Sequence, residues 1–187
     1  MVGLIILAVV VVLALAVVIW YFSCYNSFVR LKNNYEEAFS TMDVSMKKRY
    51  DLIPNIVETV KGFAKHEKET LDAVISARAN ALKAGAGAEK IKAEKEFGGA
   101  IRNLIAVAES YPDLKANANF LDLQSQLRNI ETEIANSRKY YNACVKTFNT
   151  KVESFPSSIV ARSRGFNKAA LFELDNPEER KNVKVQF

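Results

Sequence analysis

The chain has little of what most catalytic sites are built from. Its 187 residues include one histidine, His66, and two cysteines, Cys24 and Cys144. With no second histidine and no thiol near it in sequence, His66 can found neither a metal-ligand set nor a nucleophile–base pair. The two thiols lack metal spacing, and in a cytoplasmic body they would have no oxidising compartment, so no structural disulfide is expected. Glycine and proline are scarce, at seven and four. The one glycine-rich stretch, Ala84-Gly85-Ala86-Gly87-Ala88, lacks both the Gly-Lys-Ser/Thr ending and the preceding strand of a phosphate-binding loop, and reads as a turn between helices. A one-sided charge is missing too. The formal charge is +5, but Lys and Arg interleave with Asp and Glu along the body, which describes solvated helix faces better than a nucleic-acid stripe. Period-two alternation is absent before Val183-Lys184-Val185-Gln186-Phe187, which excludes a β fold. No enzyme activity, cofactor, metal or small-molecule substrate is expected.

What the chain does have is one long apolar run, Val2 to Phe22. Roughly twenty residues at about 1.5 Å each span about 30 Å, the hydrocarbon core of a bilayer. Gly3 is its only residue outside the aliphatic and aromatic set, and Trp20, Tyr21 and Phe22 close it where an interfacial aromatic belt belongs. A cleaved signal peptide would carry a basic start, a shorter apolar region and a small-residue cleavage site, none of which is present. Tyr21-Phe22-Ser23-Cys24 has a small residue before a cysteine but lacks the aliphatic residue a lipidation motif needs at Tyr21. Lys and Arg are absent before the run and present after it, at Arg30, Lys32 and then Lys47-Lys48-Arg49. The positive-inside bias therefore predicts the N-terminus outside and the C-terminal body in the cytoplasm of a single-pass protein.

Beyond the anchor (1–24) about 165 residues remain, enough for one domain; a bundle over 25–166 and a tail over 167–187 are expected. Apolar positions recur at Phe28, Leu31, Tyr35, Ala38, Met42 and Met46 with helical spacing. No Gly or Pro intervenes between Phe22 and Asp51, so the anchor should run on as one helix. At Asp51-Leu52-Ile53-Pro54 two readings stay open: Asp51 caps a new helix near Pro54, or a kinked helix continues, because the rhythm passes through Tyr50, Ile53, Val57 and Val60 in phase. The second stretch then carries Phe63, Leu71, Val74 and Ile75 to about Lys83. The third covers about Glu89 to Glu109 and ends at Tyr111-Pro112-Asp113. The fourth and longest runs from Phe120 to Val152, stopped by Phe155-Pro156. The expected fold is all-α: a transmembrane helix continuing into an antiparallel, up-and-down four-helix bundle.

The motif Tyr25-Asn26-x-x-Val29-Arg30-x-x-Asn33 recurs as Tyr141-Asn142-x-x-Val145-Lys146-x-x-Asn149. Up-and-down topology would bring both copies to the membrane-proximal pole, facing each other. There Phe155 to Phe166, with Ile159 and Val160 beside Arg162 and Arg164, would emerge next to the bilayer. Lys47, Lys48 and Arg49 would lie on the order of 35 Å up the helix and read as a solvated face.

These residues also carry a resemblance. The chain resembles the LemA family over essentially its whole length, in Tyr25-Asn26-x-x-Val29, Arg49-x-Asp51-Leu52-Ile53-Pro54-Asn55, Val60-Lys61-Gly62-Phe63-Ala64-x-His66-Glu67, Tyr111-Pro112-Asp113-Leu114-Lys115-Ala116-Asn117, Ile134-Ala135-x-x-Arg138-x-x-Tyr141-Asn142 and Phe155-Pro156-Ser157, with a similar ending at Val183-x-Val185-x-Phe187. The resemblance implies a bacterial inner-membrane protein with one N-terminal span and a helical bundle, and no enzyme activity. Arg164 departs from the pattern, standing before Gly165 where an apolar residue is expected.

Three functional readings follow. One is a structural element that self-assembles at the membrane through its anchor and long helices, as a homo-oligomer. Another is an anchored adaptor that recruits a protein partner through the bundle surface or the tail, whose alternating end could add to a sheet edge; the tail could equally lie as a strap on its own bundle. A remote third is a phosphotransfer module using His66, which is disfavoured because Glu69 occupies the place of a helping Lys and Glu67 would repel phosphate. Asp51 and Arg49 read as a cap and a surface ion pair.

Overall fold

In a computed structural model of the protein, residues 1–85 and 87–172 are described, and they are all-α. α1 runs unbroken from Val2 to Phe63, 62 residues, or about 93 Å at helical rise. α2 (Lys68–Lys83) and α3 (Ala88–Glu109) form a hairpin. α4 (Pro112–Lys115) is a single turn with Pro112 in its first position, where a missing N–H costs nothing. α5 (Ala118–Glu153) is capped by Asn117, whose side chain accepts the Phe120 N–H at 3.0 Å. α6 (Ser157–Arg164) follows a cis Phe155–Pro156 bond.

Of the two readings at Pro54, the structure takes continuity, and Asp51 is not a cap. Asp51 is exposed and accepts from Lys47 at 2.9 Å within the same helix. Proline removes one helix bond, to the Tyr50 carbonyl four residues back; that oxygen instead accepts Arg78 Nε at 2.7 Å. With the lost bond replaced and Pro54 on the exposed face, helix formation proceeds. The break falls later, at Ala64–Glu67.

The chain runs up α1, down α2, up α3 and down α5. α1 and α5 make the most extensive helix–helix contact, with α2 and α3 next. The expected four-helix section is real but partial. α2 and α3 accompany only the distal part of the α1–α5 pair, and their connection returns at the level of Asp43, where Lys90 approaches to 3.6 Å. One core, from Ala38 to Val60 on α1 with Val74, Phe97, Leu104 and Ile134, fills the distal part. A second gathers Cys24, Phe28, Phe148, Val160 and Ala161 near the anchor. Phe63 and Ile75, expected in the seam, are exposed.

Below the α2–α3 hairpin, α1 and α5 are sealed by α6 and by the chain that follows it. Gly165 takes φ 70° at the end of α6, a left-handed cap open to glycine at little cost, and reverses the chain. Residues 166–172 then lie along α5 as a strap. The tail is thus a strap as far as Phe172, while the alternating segment Val183–Phe187 lies outside the described residues.

The first 18 or more residues of α1 are fully exposed and have a mean hydropathy of 3.5, long and apolar enough to cross a membrane. Contacts to the bundle start at Tyr21, whose hydroxyl lies 3.3 Å from Ser163 Oγ, so anchor and bundle share one helix without a linker.

Candidate functional site: a buried ionic layer and a base beside the apolar run

Two groupings stand out. The first is a layer of charge inside the distal bundle. Arg49 is 4% exposed and Glu94 5%. Arg49 Nη2 donates to Glu94 Oε2 and Nη1 to Glu131 Oε1 at 2.8 Å, so one guanidinium ties α1 to α3 and α5. The Tyr50 hydroxyl donates to the other Glu94 oxygen. Lys90, also buried, donates to the Ala81 carbonyl at 2.9 Å, capping the last turn of α2 with a cation where the helix dipole favours one. Its ammonium stands 5.2 Å from the Tyr50 ring centre, and the Arg49 guanidinium 5.2 Å from that of Phe97. Arg49 Nε alone among the described buried side-chain polar atoms has no partner.

This corrects the reading of Arg49 as a surface residue. Lys47 and Lys48 are exposed and pair with Asp51 and Glu133, but Arg49 falls on the inward phase with Met42, Met46 and Ile53. Burial, and then the bond to Glu94, push the Tyr50 phenol well above its ordinary range, because an ionised phenolate there would be both desolvated and set against a carboxylate. Sequence reasoning missed Lys90 and Glu94. Their signal is positional: 90, 94, 97, 101, 104 and 108 form the buried stripe of α3, so two charges sit in a core phase.

The second grouping is the base, where the anchor leaves the bundle. Arg164 Nε donates to Tyr21 Oη at 2.8 Å, and its guanidinium lies 5.5 and 5.4 Å from the Tyr21 and Tyr25 ring centres. The Arg164 departure is thus absorbed by two aromatic faces instead of by a core. Phe166 stacks on Phe28 at 4.9 Å and touches Tyr25 and Phe148. Lys151 donates to Ser27. Beside α6 a cleft of about 450 Å³ is lined by Val152, Ser158, Ala161, Arg162, Phe166 and Lys168, among others, with Lys168 paired to Glu153.

The two copies of the repeated motif lie alongside each other on α1 and α5, with Phe28 of one stretch against Phe148 of the other, but their asparagines do not act alike. Asn26 and Asn33 are exposed, whereas Asn142 and Asn149 both clamp the strap. Asn149 bonds Ala169 through both backbone groups, at 2.9 Å each. Asn142 does the same to Phe172, at 3.0 and 2.8 Å, and the Tyr141 hydroxyl donates to the Ala170 carbonyl at 2.9 Å. The registers match: seven helical residues rise about 10.5 Å and three extended ones about 10 Å.

Other expected positions are distributed. The Tyr111 hydroxyl donates to Glu67 at 3.0 Å, joining two family motifs at the distal tip. His66 is exposed in the turn between α1 and α2. Arg138 is half-buried on α5, and Phe155 and Pro156 are exposed at the base. Val2, Gly3, Trp20 and Phe22 are exposed along the anchor.

Comparison with known proteins agrees with the motifs. Magnetosome protein MamQ 2 of Paramagnetospirillum magneticum is 24% identical over 175 residues, 80% of this chain and 64% of its own length. Magnetosome protein MamQ of Magnetospirillum gryphiswaldense is 25% identical over 174 residues, 79% of this chain and 64% of its own. The chain therefore spans less than two thirds of these relatives. Protein LemA of Metamycoplasma hominis is 25% identical over 154 residues, 82% of this chain and 70% of its own. The profile of the LemA family matches residues 38–187, from the distal core of α1 through the ionic layer and the strap, and the chain belongs to the LemA family.

Proposed function

We propose that the protein is a structural, self-assembling element of a bacterial inner membrane, anchored by one span and working without catalysis. The observation that carries this reading is the continuity of α1 from Val2 to Phe63, with bundle contacts beginning at Tyr21. An adaptor gains reach from a flexible linker; here the bundle is held at a fixed angle and height over the bilayer. Copies packed side by side would repeat that geometry, as a lattice or shell requires. Val44, Leu82, Leu121 and Tyr140, exposed at 46–61%, offer apolar contact points for neighbours.

The orientation that fits is N-terminus outside and body in the cytoplasm. Arg30 and Lys32 follow the span, and Arg164 stands beside Tyr21 at its end, in keeping with a positive-inside bias. The adaptor reading loses part of its support, since the tail as far as Phe172 is taken up by α5. The test is the mass and shape of the full-length protein extracted gently from membranes, by light scattering and electron microscopy of one sample. A large homogeneous particle is expected; a monomer would overturn self-assembly and turn attention to partners of the remaining tail.

A further inference from the structure

Phe155 is 83% exposed, and among the described large apolar residues only Met1 is more so. Ile159, four residues on, is 55% exposed. Arg162 continues the same outward face, while Val160 and Ala161 on the other face of α6 are buried against Cys24 and Phe28. In water this face would be an unexplained cost of tens of calories per Å² of apolar surface. Its height makes sense of it. Arg164, at the end of α6, is bonded to Tyr21, and Tyr21 closes the apolar run. On α5, Phe148 packs between Phe28 and Tyr35. Lys151 bonds Ser27, α5 ends two residues later at Glu153, and Phe155 lies two residues beyond that, on the anchor side of Ser27. The exposed apolar pair therefore sits where hydrocarbon gives way to headgroups, at the start of the short helix that carries Arg162 and Arg164 and beside the cleft that Arg162 shares with Lys168 and Glu153, the last two paired to each other.

We infer that the turn into α6 is a second membrane contact: Phe155 and Ile159 insert into the leaflet beside the span, and Arg162 with its cationic neighbours takes the phosphates of anionic lipid. α6 packs on α1 just past the end of the apolar run, and its cationic side chains are complementary to an anionic headgroup layer. Two fixed points on one leaflet would stop the bundle from swivelling about the span. This inference rests on α1 crossing the bilayer, and the test separates the two.

Trp20 is the only tryptophan, so the unmodified full-length protein in lipid nanodiscs reports the span by quenching from brominated lipids. The double variant Trp20→Phe, Phe155→Trp reports α6, and Trp20→Phe, Ile159→Trp repeats the measurement at a second exposed site if the first folds poorly. Quenching of the indole at 155 or 159 by lipids brominated near the headgroup end of the chain is expected, with brominated phosphatidylglycerol about twofold more effective than brominated phosphatidylcholine at equal content. Quenching of Trp20 but of neither new indole overturns the inference and leaves the span standing. No quenching of Trp20 overturns both. Equal quenching by the two lipids overturns the anionic preference.

Discussion

Arg78 Nε donates to the Tyr50 carbonyl at 2.7 Å, and that oxygen is the acceptor Pro54 leaves without its helical N–H. One side chain on α2 thereby satisfies the carbonyl that proline would leave unpaired within the continuous α1. Arg78→Ala should lower the stability of the distal bundle by about 1–3 kcal/mol, the usual cost of leaving a buried acceptor unpaired. Pro54→Ala supplies an N–H to the same oxygen, so in that background the loss from Arg78→Ala should shrink to less than half. Chemical unfolding followed by circular dichroism measures both, and additive losses would mean that the two residues act independently.

Glu94 accepts from both Arg49 and Tyr50. Glu94→Ala takes the buried carboxylate from the Arg49 guanidinium, leaving it the half-exposed Glu131, and removes the phenol's acceptor, so a loss of about 3 kcal/mol, the lower end for a broken buried pair, is expected. Replacing the pair together, Arg49→Met with Glu94→Leu, should cost clearly less than Glu94→Ala alone, since no uncompensated charge stays inside. Urea midpoints of the three proteins decide it. A double variant as unstable as the single one would show that the ionic layer contributes net stability that apolar packing cannot match.

Much of this architecture is written in apolar spacing. The anchor, the ends of α2, α3 and α5, and the antiparallel order follow from runs of step three and four closed by Gly and Pro. The break after Phe63 is not legible, because Val60, Ala64, Leu71 and Val74 keep one helical phase across it. Proline at position 54 is a misleading signal, because what rescues it is Arg78, 24 residues away. The ionic layer was half legible: Lys90 and Glu94 stand in a core phase, but nothing local pairs them with Arg49. The strap is illegible for the same reason. Asn142 and Asn149 look like ordinary polar positions on α5 until the chain returns along them.

That return is testable. Asn142→Ala should remove both bonds to Phe172, and Asn149→Ala both bonds to Ala169, at about 1–3 kcal/mol each. The sharper readout is local. Amide exchange at Phe172 should accelerate by about tenfold or more in Asn142→Ala, and at Ala169 in Asn149→Ala, with the α3 core little changed. Unaltered exchange at both amides would mean that the strap is held by Phe172 burial and not by the amide clamps.

Alkaline pH offers a handle on the buried phenols. Burial raises the Tyr50 phenol, helped by its bond to Glu94; burial raises Tyr141, with a contribution from Tyr35; and the bond to Glu67 raises Tyr111. An unfolded tyrosine titrates near 10. Above that value the unfolded chain has shed protons that these phenols still hold when folded, so unfolding is favoured progressively. Their contribution is therefore complete below about pH 10 and is lost as pH climbs past it. Urea midpoints should be flat between about pH 8 and 9.5 and fall steeply beyond. Tyr50→Phe should start lower, because Glu94 loses a donor, and fall less steeply, because one raised phenol is gone. Absorbance of tyrosinate near pH 11 gives the companion measurement: fewer than the seven tyrosines should ionise while the bundle holds, and the remainder should appear together as it unfolds. If all seven ionise before any helix is lost, the phenol of Tyr50 is not protected and its bond to Glu94 cannot be a lasting part of the fold.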